Sequence, residues 1–78
     1  RKSVIWSDRA IEQKQQLLMS EKLSVQTAQE LEAVLSLDPR PAYQDDEARV
    51  YKMKFAAVDI AFTVGETTVN ITAVELET

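Results

Sequence analysis

Hydrophobic and β-branched residues are concentrated in the C-terminal part of the chain. The runs VYKMKFAAVDIAFTV and TTVNITAVEL have the composition of β-strands, and Gly65-Glu66 separates them. A two-residue loop that begins with glycine is typical of a type II′ turn, so we predict a C-terminal β-hairpin in which Val64 pairs with Thr67. This register aligns apolar pairs on one face of the hairpin: Phe62 with Val69, Ile60 with Ile71, and Val58 with Ala73.

The same register places other apolar side chains on the opposite face of the hairpin. These residues are Tyr51, Met53, Phe55, Ala57, Val74 and Leu76. A β-bulge near Ala56-Ala57 would return one strand to the first face, because an extra residue reverses the alternation of side chains. Without such a bulge, we expect the sheet to have two apolar faces. Helices would cover one of them, and the other would contact a second domain, a second subunit or a substrate.

The N-terminal part of the chain predicts a short strand followed by a helix. RKSVIW is typical of a strand, with Val4 and Trp6 pointing to one side. Ser7 is a favourable N-cap, and we predict a helix from Asp8 to about Met19, a segment without Pro or Gly. Its narrow apolar stripe consists of Ala10, Ile11, Leu17 and Leu18.

A second helix is predicted from Val25 to about Leu37. Ser24 is its N-cap, and Asp38-Pro39 ends it because the α-helical region is disfavoured for the residue before a proline. Its buried stripe consists of Ala28, Leu31, Val34 and Leu35. The predicted fold class is therefore α+β: a small single domain over residues 1–78, in the order β-α-α-β-β, with both helices on one face of a three-stranded, mainly antiparallel sheet.

Composition limits the chemistry that this chain can perform. It has no cysteine and no histidine, which excludes Ser-His-Asp and Cys-His catalysis and the commonest zinc sites. Nine basic and thirteen acidic residues give a net charge of −4, which argues against a nucleic-acid-binding platform. No apolar run approaches the roughly 20 residues of a membrane-spanning helix, and no signal peptide is recognisable. The chain begins with Arg1, and we interpret it as a piece of a longer, cytoplasmic protein.

The segment DPRPAY, between the second predicted helix and the hairpin, is the main candidate for a functional role. Pro39 and Pro41 restrict the backbone, so the segment is stiff and presents side chains at a low entropy cost. We expect Arg40 to project outward and bind a phosphate or carboxylate, with Asp38 orienting it and Tyr43 stacking on a base or closing the core. A purely structural reading is also open: the prolines end a helix, Arg40 pairs with Asp38, and Tyr43 packs.

The sequence LDPRPAYQDDEARVYKMKF, followed by FTV, a turn and a last strand, resembles the C-terminal domain of the TsaA/YaeB family, the TrmO-type tRNA methyltransferases. The resemblance extends over essentially the whole chain, and DPRPAY is its specific element. It implies that an N-terminal β-barrel, absent here, binds S-adenosylmethionine, and that the parent protein methylates N6 of a threonylcarbamoyladenosine beside the tRNA anticodon. It also implies three partners: the N-terminal barrel of the same chain, tRNA through the parent, and a second copy of the parent.

The resemblance assigns few residues individually. Those that match the family motif and the start of the following strand are Asp38, Arg40, Tyr43 and Tyr51. We predict that they bind substrate or dock the domain, and that none is catalytic or binds a metal. We also expect no cofactor site in this chain, because the resemblance places the methyl-donor site on the barrel. Many family members have basic residues where this chain has Ala61 and Thr63, so any RNA contact at those positions is missing here.

Two functions from different classes remain open. The first is an accessory substrate-recognition or docking domain of an S-adenosylmethionine-dependent tRNA (adenine-N6)-methyltransferase, which DPRPAY favours. The alternative is a non-catalytic interaction or dimerisation module that stabilises the parent protein without touching RNA. The predicted second apolar face and the net charge of −4 favour this alternative.

Overall fold

The described part of the chain, residues 1–40 and 46–77 of a computed structural model, forms an α+β domain. Its elements in chain order are β1 (Ser3–Trp6), α1 (Asp8–Met19), α2 (Val25–Ser36), β2 (Tyr51–Phe55), β3 (Val58–Val64) and β4 (Thr68–Leu76). The strands form one mixed sheet in the order β1-β4-β3-β2, with β1 parallel to β4 and the other neighbours antiparallel. The fold class and both helices are confirmed, but the sheet has four strands where we predicted three.

Both helices begin at the predicted serine caps. The Ser7 hydroxyl accepts a hydrogen bond from the backbone N–H of Ala10 at 3.1 Å. The Ser24 hydroxyl accepts the equivalent bond from Thr27 at 3.0 Å. Each bond satisfies a backbone donor that has no partner within the helix, so local sequence determines where α1 and α2 start.

The long strand predicted from Val50 to Val64 is in fact two strands joined by a tight turn. β2 and β3 pair antiparallel along their length, and Ala56-Ala57 forms the turn between them. Ala56 has a left-handed φ of 53°. That conformation costs a residue with a Cβ about 1–2 kcal/mol, so a glycine usually occupies it. The prediction of one strand was wrong because Ala-Ala is not a typical turn sequence.

The connection between β3 and β4 is longer than predicted, and the register differs accordingly. Val64 pairs with Val69 and not with Thr67. The connection therefore spans residues 65–67, and the Gly65 N–H donates to the Thr68 carbonyl at 2.8 Å. The observed partner of Val64 lies two residues beyond the predicted one. Because this shift is even, the apolar side chains of β3 and the first half of β4 still share one face.

Gly65 serves close packing and not turn conformation. Its φ is not positive, whereas a type II′ turn requires a positive φ at its first central residue. A Cβ built on Gly65 would lie 3.2 Å from Glu47 Oε1 and 3.2 Å from Thr68 Oγ1. A side chain at this position would therefore push against both neighbours, and the predicted type II′ turn was wrong.

The β-bulge lies in β4 at Thr72, whereas the sequence left open a bulge near Ala56-Ala57. The extra residue reverses the alternation of side chains, so Val74 is buried and Ala73 is partly exposed. The backbone N–H of Val74 donates to Gln13 Oε1 at 2.8 Å. A side chain of α1 thus satisfies a backbone donor of β4 just after the bulge.

The core lies between the helices and a single face of the sheet. Its buried residues are Ala10, Leu17, Leu23, Ala28, Leu31, Leu35, Val58, Ile60, Phe62, Val64, Val69, Ile71 and Val74. Ile11 and Val34 belong to the predicted helix stripes, but Ile11 is exposed and Val34 only half-buried. Tyr51, Met53 and Phe55 are half-buried and pack against this same core. The prediction of a second apolar face was therefore wrong, because the turn after Phe55 changes the phase of β2 relative to β3.

Candidate functional site

Asp38 and Arg40 form a two-point ion pair just beyond α2. Nε of Arg40 donates to Asp38 Oδ1 at 2.7 Å, and Nη2 donates to Oδ2 at 2.5 Å. This parallel arrangement of a guanidinium and a carboxylate is both strong and directional. The side chain of Arg40 is only 5% exposed. Arg40 therefore lies against the domain, and the prediction that it projects outward was wrong.

The backbone conformation of Asp38 makes this pair possible. α2 is capped by Leu37, and Asp38 then adopts a left-handed φ of 56° while its N–H donates to the Leu35 carbonyl at 3.0 Å. Aspartate is among the few residues besides glycine that tolerate this conformation. Pro39 follows and has no N–H, so it cannot extend the hydrogen bonding of the helix end. The prediction that Asp38-Pro39 ends the helix is confirmed.

The charges of the pair stabilise one another. The hydrogen bond from Arg40 lowers the pKa of the Asp38 carboxyl below its ordinary value of 3.8, against the opposing effect of burial. The same hydrogen bond raises the pKa of the Arg40 guanidinium, and the nearby Tyr51 hydroxyl adds to this effect. Neither group exchanges a proton near neutral pH, so the pair is suited to holding a structure and not to acid–base catalysis.

Lys2 links the pair to two other parts of the fold. Its Nζ donates to the carbonyls of Gly65 at 2.6 Å and Glu66 at 3.0 Å, and lies 3.9 Å from Asp38 Oδ2. Its backbone N–H donates to the Ser36 carbonyl at 2.9 Å. The start of β1, the end of α2 and the β3–β4 connection therefore meet beside Asp38. Sequence reasoning missed Lys2, since a lysine before a short strand is an ordinary surface residue.

Tyr51 anchors the site to the core. Its ring stacks on Phe62 with 5.7 Å between centroids and 24° between planes. On the solvent side, the Arg49 guanidinium lies 5.2 Å from the centroid of the Tyr51 ring. The Tyr51 hydroxyl is buried close to the Arg40 guanidinium, although within the described part of the chain no hydrogen bond of good geometry reaches it.

The structure brings three of the four predicted site residues together. Asp38, Arg40 and Tyr51 lie side by side at the end of the sheet where β1 and β2 begin. Tyr43 lies outside the described residues. The contact between Asp38 and Arg40 was expected on both the functional and the structural reading of DPRPAY. The binding roles of these residues stay predictions.

Residues 1–40 and 46–77 offer neither a metal site nor a membrane-spanning helix. This part of the chain holds no group of three or more acidic side chains placed to bind a metal ion. No helix within it is long and apolar enough to cross a membrane. The candidate site is therefore the cluster of Lys2, Asp38, Arg40 and Tyr51, which we call the Asp38–Arg40 cluster.

Comparisons with known proteins agree on one family. The family model described as the TrmO C-terminal domain matches residues 1–77. Among solved structures, the crystal structure of TrmO from P. aeruginosa is similar, with a TM-score of 0.76 and 23% sequence identity. The similarity covers 95% of this chain and 33% of that one, so the chain spans about a third of the solved protein. No curated protein sequence matches.

Proposed function

Because the chain belongs to the family of TrmO C-terminal domains, we propose that it is the accessory domain of an S-adenosylmethionine-dependent tRNA methyltransferase. The proposed reaction of the parent protein is methylation of N6 of threonylcarbamoyladenosine beside the anticodon. The observation that carries this proposal is the family match over residues 1–77. The DPRPAY segment supports it as the specific element of the resemblance.

The domain itself performs no chemistry in this proposal. Asp38 and Arg40 neutralise each other, and the histidine and cysteine that acyl- or proton-transfer sites commonly use are missing from the sequence. The methyl donor binds to the N-terminal part of the parent, and this domain binds none. Its contribution is to position the parent for substrate recognition or to hold the parent's domains together.

Direct binding of RNA by the isolated domain is expected to be weak. Phosphate contacts require clustered cations, and this chain has nine basic and thirteen acidic residues. Two of the cations, Lys2 and Arg40, are already engaged by protein oxygens. RNA recognition in this proposal therefore belongs to the assembled parent protein.

The alternative of a dimerisation module loses its main support. It depended on a second apolar sheet face, and the apolar residues of β2 pack against the core instead. The opposite face of the sheet carries charged and small residues such as Lys52, Asp59 and Ala61. This composition does not resemble the apolar centre of a stable dimer interface.

Mass spectrometry of tRNA nucleosides tests the proposed reaction. Cells that lack the parent protein should lose the N6-methylated form of threonylcarbamoyladenosine while keeping the unmethylated form. Re-expression of the full-length parent should restore the methyl group. An unchanged level of the methylated nucleoside in cells without the parent would contradict the proposed reaction.

A further inference from the structure

We propose that the end of β4 binds an extended segment of another protein, in which apolar side chains alternate with lysine or arginine, as an additional strand of the sheet. The binding site is a groove of about 450 Å³ between β4 and α1, which we call the β4–α1 groove. Its lining includes Glu12, Gln13, Leu17, Val74, Glu75 and Leu76. The inference does not depend on the proposed methylation reaction.

β4 has a free edge where it runs past β1. The pairing of β1 with β4 ends at Trp6 and Ile71, while β4 continues to Leu76. Just beyond Ile71, a side chain of α1 acts in place of a strand, because Gln13 Oε1 accepts the Val74 N–H at 2.8 Å. In the part of the chain that the structure describes, no other strand pairs with this edge of β4.

The backbone of Leu76 is directed to this free edge. On the other side of β4, the N–H of Glu77 donates to the carbonyl of Ala57 at 2.9 Å. Successive residues of a strand direct their N–H and C=O groups to opposite sides, so those of Leu76 point away from β3. The Val74 carbonyl points the same way, because the Val74 N–H meets α1 on that side. A partner strand can therefore pair with these groups, as peptides do that add to an exposed sheet edge.

The apolar floor of the β4–α1 groove leaves Leu76 partly uncovered. Leu17 of α1 and Val74 of β4 are buried, but Leu76 is 39% exposed. Leu76 lies two residues after Val74, so its side chain points to the side of the sheet that faces α1. An apolar side chain of the partner would shield Leu76 from water, which favours binding.

Two carboxylates give the β4–α1 groove its charge preference. Glu12 on α1 and Glu75 on β4 are both exposed and line the groove. Within residues 1–40 and 46–77, neither of them forms a salt bridge. The neighbouring Glu77 differs, since it is paired with Lys54 at 2.9 Å. The groove therefore attracts a partner with basic side chains and repels the phosphates of RNA.

Fluorescence anisotropy with the full-length parent protein tests the inference. The probe is a fluorescein-labelled peptide in which leucine alternates with lysine, and the control peptide has glutamate in place of lysine. We expect saturable binding of the lysine peptide and none of the glutamate peptide. The double variant Glu12→Gln, Glu75→Gln should bind the lysine peptide roughly 2- to 30-fold more weakly, since each exposed ion pair contributes a factor of about 1.5 to 5.

A matched variant and a modified probe separate strand addition from general attraction by charge. Glu30→Gln with Glu66→Gln removes the same charge outside the β4–α1 groove and should leave the affinity unchanged. Two further probes carry N-methyl groups on alternate backbone amides, one probe for each of the two phases. Strand addition presents only one set of amides to β4, so one of these probes should lose binding and the other should keep it.

Four results would overturn the inference. The first is the absence of saturable binding, which would also follow if another part of the parent covers the β4–α1 groove. The second is equal weakening by the two double variants, and the third is equal binding of the two N-methylated probes. The fourth is displacement of the lysine peptide by tRNA, which would make RNA the occupant. None of these measurements depends on methylation, so the groove and the proposed reaction can fail separately.

Discussion

Replacing Phe62 by alanine tests the packing that positions the site. Phe62 is 3% exposed in β3, a central strand, and its ring stacks on Tyr51. Tyr51 in turn lies beside the Arg40 guanidinium. Loss of the Phe62 ring would therefore leave a cavity in the core and remove the support of the candidate site at the same time.

The expected loss is large for a domain of this size. Truncation of a buried phenylalanine to alanine costs about 3–5 kcal/mol of stability. Stacking of one aromatic ring on another contributes roughly 0.5–1.5 kcal/mol beyond the burial of its surface. A native domain has about 0.05–0.15 kcal/mol of stability per residue, which for 78 residues is roughly 4–12 kcal/mol. Phe62→Ala should thus remove between a quarter and all of the free energy of unfolding.

Urea denaturation followed by fluorescence measures this loss. Trp6 is the only tryptophan of the chain and lies half-buried against the core, so it reports unfolding without a label. Ile5→Ala is a suitable control, because Ile5 is 48% exposed and its truncation should change the stability by less than about 0.5 kcal/mol. A Phe62→Ala midpoint equal to that of the unaltered protein would refute the assignment of Phe62 to the core.

Substitutions at three further positions test individual contacts. Arg40 lowers the folded-state pKa of Asp38 below 3.8, so the carboxylate stabilises the fold at neutral pH and this contribution disappears as the pH falls through the folded pKa. Asp38→Asn should therefore be less stable than the unaltered protein at pH 7. Its melting temperature should fall less between about pH 5 and pH 2 than that of the unaltered protein, and an equal fall for both proteins would contradict this. Gln13→Ala should cost about 1–3 kcal/mol of stability, because the buried N–H of Val74 loses its acceptor. Gln13→Glu keeps an acceptor and should cost less. Equal melting temperatures for these two variants would refute the role of this hydrogen bond. Ala56→Gly should stabilise the domain by roughly 0.5–1 kcal/mol by relieving a left-handed φ, and a lower melting temperature would show that the turn is not strained.

Local signals predicted the helices, and the sheet depended on information that the local sequence does not contain. Ser7 and Ser24 are caps that act on residues of the following turn, so both helix starts could be predicted. The β2–β3 turn was missed because Ala56 adopts a glycine-like conformation without being glycine. Conversely, Gly65 suggested a tight turn, but its φ is not positive, and it lies in close contact with Glu47 and Thr68. The parallel pairing of β1 with β4 joins the two ends of the chain, and no local pattern indicates it.

The candidate site shows the same division between local and distant contacts. Asp38 and Arg40 are separated only by Pro39, which restricts the backbone between them. The sequence therefore indicated that their side chains would pair. The contact of Lys2 with Asp38 and the position of Tyr51 beside Arg40 arise only when the sheet assembles. Burial of the Arg40 guanidinium could not be predicted, because a residue between two prolines gives no information on which side of it the domain lies.

Steady-state kinetics of tRNA methylation by the purified parent protein test the central claim most directly. Protein with and without the domain of residues 1–78 would be compared, with S-adenosylmethionine binding to each form measured as the control. We expect deletion of the domain to lower kcat/KM for tRNA while the affinity for S-adenosylmethionine stays the same. An unchanged kcat/KM would contradict an accessory role in the reaction, and a loss of S-adenosylmethionine binding would contradict the assignment of the methyl-donor site to the rest of the protein.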